Sequence, residues 1–147
     1  MPEDPARPIL LLVEDEEDDA FFFERAFKKS ATGFSLHHVS NGSAALEYLR
    51  NAARPNLLPR IMFLDLKMPA LNGFDVLGWM QKQTFPVPIP VVVLSGSEQQ
   101  KDKDRAYQLG AAHYLVKPVT SGDLDRILQN IFPSPKDATP TGTGEQL

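Results

Sequence analysis

The chain has 147 residues, 42% hydrophobic and 23% charged, with a formal charge of −4, which predicts one soluble globular domain with a core of useful size. The lack of cysteine excludes a disulfide framework, a thiolate zinc site and a cysteine nucleophile, and three histidines leave little room for a histidine-built metal centre. Apolar runs such as Ile9–Val13 are far shorter than the roughly 20 residues that cross a bilayer, and Met1-Pro2-Glu3-Asp4 resembles no secretion signal, so a cytoplasmic protein without membrane contact is expected.

Residues 1–7 are polar and proline-rich and read as a flexible N-terminal arm before a domain spanning 8–132. Pro8–Val13 is an apolar run suited to a strand buried on both faces. Six carboxylates follow, Glu14 to Asp19, and hold the acidity of the chain in one place. Their simplest role is a solvated helix start, where negative charge favours the helix dipole. From Glu16 to about Ser30 the spacing of Phe22, Phe23, Ala26 and Phe27 marks one apolar helix face, and Phe21 falls off it. Phe21 either packs partly against a neighbouring helix or touches a partner protein.

Phe34–Val39 reads as a second strand, and its adjacent His37 and His38 point to opposite faces, so they cannot form one site. Asn41-Gly42-Ser43 opens a second helix, 51–60 is a loop, and Ile61–Asp65 is a third strand ending in a carboxylate. A loop at 66–72 leads to a third helix carrying Phe74, Val76, Leu77 and Met80. Prolines at 86, 88 and 90 force an extended entry to the strand Val91–Leu94, which ends in Ser95-Gly96-Ser97. A polar helix, Glu98–Leu109, stops at Gly110, and Ala111–Val116 is a fifth strand ending in Lys117-Pro118. Thr120 or Ser121 caps a last helix. Residues 133–147 lack periodicity and read as a disordered tail.

Five strand–helix repeats imply a parallel sheet with helices on both faces, and such sheets bind ligands outside the carboxyl ends of their strands. Those ends carry Glu14 and Asp15, Asp65, Ser95 and Lys117. One charged residue at a strand end is most simply a solvated charge. All of these at one edge form a set with a chemistry. Three converging carboxylates repel one another and need a cation, and an all-oxygen site suits Mg²⁺. A hydroxyl and an ammonium opposite would receive phosphoryl oxygens. Asp65 is then placed to be the nucleophile of an in-line phosphoryl transfer. No basic stripe with interleaved aromatics is present, so nucleic-acid binding is not expected.

Leu-Leu-Val-Glu-Asp at 11–15, Leu-Asp-Leu-Lys-Met-Pro-Ala-Leu-Asn-Gly at 64–73, Val-Val-Val-Leu-Ser-Gly at 91–96 and Tyr-Leu-Val-Lys-Pro at 114–118 together resemble the receiver domains of two-component response regulators. The resemblance covers about Pro8 to Phe132. It implies a flavodoxin-like doubly wound α/β fold with strand order 2-1-3-4-5. It implies that Asp65 accepts a phosphoryl group from a phosphohistidine of a sensor histidine kinase or a histidine phosphotransfer protein. It implies a Mg²⁺ held by Asp15 and Asp65, by Glu14 through water, and by the backbone carbonyl of Lys67. Ser95 would be the switch hydroxyl, Tyr114 the aromatic coupled to it, Lys117 the phosphate-binding lysine, and Lys117–Pro118 a cis peptide. Output would go to a protein partner through the face of the fourth helix, fifth strand and fifth helix, since the 15 residues after Phe132 hold no DNA-binding domain. A monomer or weak homodimer is expected. The longer segments 51–60 and 85–90 resemble the stand-alone regulators that pair with bacterial phytochromes.

Three other readings compete. An aspartate-nucleophile phosphatase needs a second aspartate two positions after the nucleophile as general acid–base, and Lys67 stands there. A phosphate-blind adaptor with this fold would not keep a complete site. No phosphate-binding Gly-x₄-Gly-Lys-Ser/Thr loop is present.

Overall fold

The computed structural model describes residues 7–30, 33–52 and 57–133. Ten elements alternate along the chain: β1 (Ile9–Val13), α1 (Glu17–Lys29), β2 (Ser35–Val39), α2 (Gly42–Asn51), β3 (Ile61–Asp65), α3 (Gly73–Gln81), β4 (Val91–Ser95), α4 (Gln100–Gln108), β5 (His113–Val116) and α5 (Ser121–Ile131). The expected arm and tail lie, apart from Arg7 and Pro133, outside the described residues, as does the middle of the 51–60 loop.

The strands form one parallel sheet in the order β2-β1-β3-β4-β5, as expected of the flavodoxin-like fold. Strand alternation sorts the core into two layers. Leu11, Val13, Met62, Leu64, Val91 and Val93 pack with residues of α2, α3 and α4. Leu10, Leu12, Ile61, Phe63, Val92 and Leu94 face α1 and α5, where the Phe23 ring meets Phe63 edge-on at 5.1 Å between centroids. β1, β3 and β4 are buried throughout, which is why they read as unbroken apolar runs rather than alternating ones.

The helix ends follow local chemistry. Asn41 caps α2 by accepting from the Ala44 N–H at 2.7 Å. Asn72 with Asp75, and Thr120 with Asp123, close capping boxes on α3 and α5, so Thr120 rather than Ser121 is the cap of the last helix. α1 has acidic residues in its first turn and Lys28 and Lys29 in its last, in line with its dipole.

One expectation for α1 fails. The sequence spacing puts Phe22 on the buried face with Phe23 and Ala26, but it is 47% exposed whereas Phe23 is buried. The α1 stripe that meets β1 and β3 runs through Ala20, Phe23 and Ala26, a three-residue spacing that leaves Phe22 beside the groove to the β5–α5 turn. The Phe21 ring lies edge-on to Phe22 and under Arg25, both on its own helix.

Candidate functional site

The strand register assembles the site. Val13 pairs with Leu64, Asp65 with Leu94, and Ser95 with Val116, so the residues at and just beyond these positions share one edge of the sheet. Glu14, Asp65 and Ser95 are buried there, each no more than 2% exposed. Glu14, Asp15 and Asp65 offer one carboxylate oxygen each within 4.8 Å of one another. Lys117 reaches in from the end of β5, with Nζ 3.0 Å from Glu14 Oε1, 3.0 Å from Asp65 Oδ1 and 2.8 Å from Asp19 Oδ2. The Lys117–Pro118 peptide is cis.

Burial pushes the Glu14 carboxyl up to about 7, with the Asp65 charge adding to the rise and Lys117 opposing it. Burial likewise raises Asp65, against Lys117, Glu14 and a hydrogen bond from the Lys67 main chain. Burial also works against the Lys117 charge, but Asp19, Asp65 and Glu14 outweigh it and hold the ammonium above its ordinary range. Three carboxylates facing one ammonium leave negative charge uncompensated in a low-dielectric place. Asp15 Oδ1 is buried without a hydrogen-bond partner among the described residues. A buried, unpartnered carboxylate oxygen beside two raised carboxyls is the donor set that a hard divalent cation satisfies.

The loop after β3 closes over this edge because Gly73 lets it. A Cβ on Gly73 would sit 2.6 Å from the Asp65 carbonyl oxygen, and the Gly73 N–H donates to the Leu66 carbonyl at 2.9 Å. Ala70, in the same loop, has φ of 65°, a left-handed conformation that alanine adopts at a cost. On the β4 side the Ser95 hydroxyl accepts from the Ser97 N–H at 3.0 Å, and Tyr114 donates to the Ser97 carbonyl at 2.8 Å.

Two further side chains stand at the site that sequence reading passed over. Asp19, counted among solvated helix-start charges, binds Lys117. Its position one helical turn after Asp15 was the available signal, since the first turn of α1 hangs over the end of β1. His38 lies with Nε2 2.9 Å from the Glu14 carbonyl oxygen, to which it donates in the Nε2–H tautomer. His37 does point to the other face, its ring 4.6 Å from that of Tyr48, but β2 nevertheless contributes His38 to the surroundings of Glu14. No helix among the described residues is long and apolar enough to cross a membrane.

Comparison with known proteins places this edge in context. The sequence profile of the response regulator receiver domain matches residues 10–129. The probable methanogenesis regulatory protein FilR2 of Methanothrix harundinacea (strain 6Ac) is 38% identical over 130 residues, 88% of this chain and 83% of FilR2. Response regulator Rcp1 of Synechocystis sp. (strain ATCC 27184 / PCC 6803 / Kazusa) is 33% identical over 129 residues, 84% of this chain and 85% of Rcp1. The crystal structure of its Mn²⁺-bound form superposes with a TM-score of 0.66 over 88% of this chain and 91% of that one, at 29% identity. The phosphorylated cyanobacterial phytochrome response regulator RcpA superposes with a TM-score of 0.69 at 31% identity, over 86% of this chain and 91% of that one.

Proposed function

The chain belongs to the response regulator receiver domain family, and on that premise we propose that it is a phosphorelay protein whose phosphoacceptor is Asp65. The observation that carries the reading is the placement of Asp65: buried at the end of β3, beside Glu14 and Asp15, with the Lys117 ammonium 3.0 Å from its Oδ1. The P–N bond of a phosphohistidine breaks and a P–O bond to an Asp65 carboxylate oxygen forms. The imidazole leaves and takes up a proton. Glu14, Asp15, Asp65 and the Lys67 backbone carbonyl would hold Mg²⁺, which supplies positive charge against the phosphoryl oxygens when bound. That Rcp1 has a Mn²⁺-bound form supports the assignment. Lys117 neutralises a phosphoryl oxygen, and Ser95 donates to another.

The donor in this reading is a sensor histidine kinase or a histidine phosphotransfer protein, in the cytoplasm. The receiver is a phosphoacceptor rather than a turnover phosphatase, since Lys67 stands where a general acid–base carboxylate would be needed. Output passes to a protein partner through α4, β5 and α5, whose Tyr114 is tied to the Ser95–Ser97 segment. The test is incubation with acetyl phosphate and Mg²⁺ followed by intact-mass analysis. One added phosphoryl group, labile to hydroxylamine and absent from Asp65→Asn, is expected. An equally labile adduct on Asp65→Asn would overturn the assignment.

A further inference from the structure

The Lys117 ammonium has three protons and three carboxylate partners, and the partners are not equivalent. Glu14 and Asp65 belong to the candidate metal set and line the buried floor, their side chains 1% and 3% exposed. Asp19 lies outside that set, on α1, with its side chain 35% exposed, and makes the shortest of the three contacts at 2.8 Å. A cation held by Glu14 and Asp65 would compete with Lys117 for those two carboxylates. A phosphoryl group bonded to Asp65 would take up one of its carboxylate oxygens and move the negative charge out onto the phosphoryl oxygens. The contact with Asp19 is the only one of the three that neither event consumes.

From this we infer that Asp19 is a positioning residue for phosphoryl transfer: it anchors the Lys117 ammonium from the α1 side so that the two remaining protons stay turned toward Asp65 and Glu14. The inference rests on the function proposed above. A lysine side chain without such an anchor has four rotatable bonds with which to leave the site, and holding it in place costs rotamer entropy that the ion pair offsets. Lys117 is long and flexible, yet it is only 16% exposed where it pairs with Asp19, Glu14 and Asp65. The same placement gives Asp19 no direct contact with the reacting atoms, so its effect runs through Lys117. A charge that merely repelled an anionic phosphodonor would behave differently: its removal would speed the reaction.

The experiment compares wild type, Asp19→Asn, Asp19→Ala, Lys117→Ala and the Asp19→Ala/Lys117→Ala double variant. Each is phosphorylated with acetyl phosphate and Mg²⁺, in which the P–O bond to acetate breaks as the bond to Asp65 forms and acetate leaves. The rate at saturating donor is expected to fall about fivefold in Asp19→Ala, within the range of a partly exposed charge-assisted hydrogen bond. It should fall less in Asp19→Asn, whose amide oxygen still accepts from the ammonium. Asp19→Ala should have no further effect once Lys117 is alanine. A second readout needs no chemistry: in protein labelled with ¹⁵N-lysine, the Lys117 Nζ resonance should exchange slowly with water in wild type and be lost to fast exchange in Asp19→Ala, with and without Mg²⁺. Unchanged Nζ exchange, a rate that stays the same or rises in Asp19→Ala, or an additive double variant would each overturn the positioning role while leaving the proposed function intact. A wild-type protein that takes no phosphoryl group would overturn both.

Discussion

The Tyr114 phenol donates to the carbonyl oxygen of Ser97 at 2.8 Å, and the Ser97 N–H donates in turn to the Ser95 hydroxyl at 3.0 Å. A continuous path therefore runs from the sheet edge to the β5 surface, with the Lys103 ammonium 5.7 Å from the Tyr114 ring centroid. In the function proposed above, a Ser95 Oγ displaced toward a phosphoryl oxygen would leave the Ser97 N–H without this acceptor and free the β4–α4 turn to shift. Among the described residues, and apart from its chain neighbours, nothing lies within 4 Å of where a Cβ on Gly96 would be, so the turn has room to do so.

Ser95→Ala is thus expected to accept a phosphoryl group on Asp65 but to lose most of the Tyr114 response. A hydrogen bond to a charged acceptor is worth roughly 1.5–3 kcal/mol, enough to bias two nearby states. The readout is the Tyr114 ring resonances with and without beryllofluoride. A response in Ser95→Ala equal to wild type would show that the path does not operate.

The raised Glu14 predicts a pH dependence of stability with a definite sign. Its folded pKa of about 7 exceeds the ordinary 4.5, so between these values the folded chain binds a proton more tightly than the unfolded one. Stability in the absence of divalent cations should therefore fall as pH rises from 4.5 through 7, by on the order of 2 kcal/mol, and Asp65, raised by burial, acts in the same direction. Mg²⁺ should flatten the decline, because it binds the ionised carboxylates and stabilises the native state by RT ln(1 + [L]/Kd). Urea midpoints at pH 5 and 7.5, with and without Mg²⁺, check this. Asp15→Asn should reduce the Mg²⁺ response, and an unchanged response would remove Asp15 from the metal set.

Two glycines of α3 should respond to alanine with opposite signs. At Gly73 the new methyl meets backbone atoms, the Asp65 carbonyl oxygen at 2.6 Å and Leu66 Cα at 2.8 Å, which cannot step aside. Gly73→Ala should cost about 1–3 kcal/mol by overpacking and weaken Mg²⁺ binding by displacing the loop over Asp65. At Gly78 an added Cβ meets no non-local atom of the described residues within 4 Å, so Gly78→Ala should stabilise by up to about 1 kcal/mol through helix propensity. Denaturant melts of both variants, with Mg²⁺ titration of the first, are the measurement.

Adjacent phenylalanines on α1 should likewise part company. Phe23 is 2% exposed and packs on Phe63, so Phe23→Ala should lose about 3–4 kcal/mol. Phe22 is half exposed, and Phe22→Ala should lose less than about 1 kcal/mol. Equal losses would mean that α1 sits rotated from the orientation described.

Much of this protein was legible in sequence because the signals were local or short-range. Buried parallel strands must be apolar on both faces, so Ile9–Val13, Ile61–Leu64 and Val91–Leu94 stand out without any knowledge of their partners. A polar residue that ends such a run must sit at the strand's carboxyl edge, which brings Glu14, Asp65, Ser95 and Lys117 together once the sheet is parallel. Tertiary structure decided what depends on rotation about a helix axis and on side-chain reach. A difference of about 100° per residue separates Phe22 from Phe23, and only docking on β1 and β3 selects which one is buried. The contacts of Asp19 and His38 needed the same information: the one-turn offset of Asp19 from Asp15 gives its neighbourhood but not its 2.8 Å contact with a lysine 98 residues later, and no spacing rule brings a β2 imidazole to the Glu14 carbonyl.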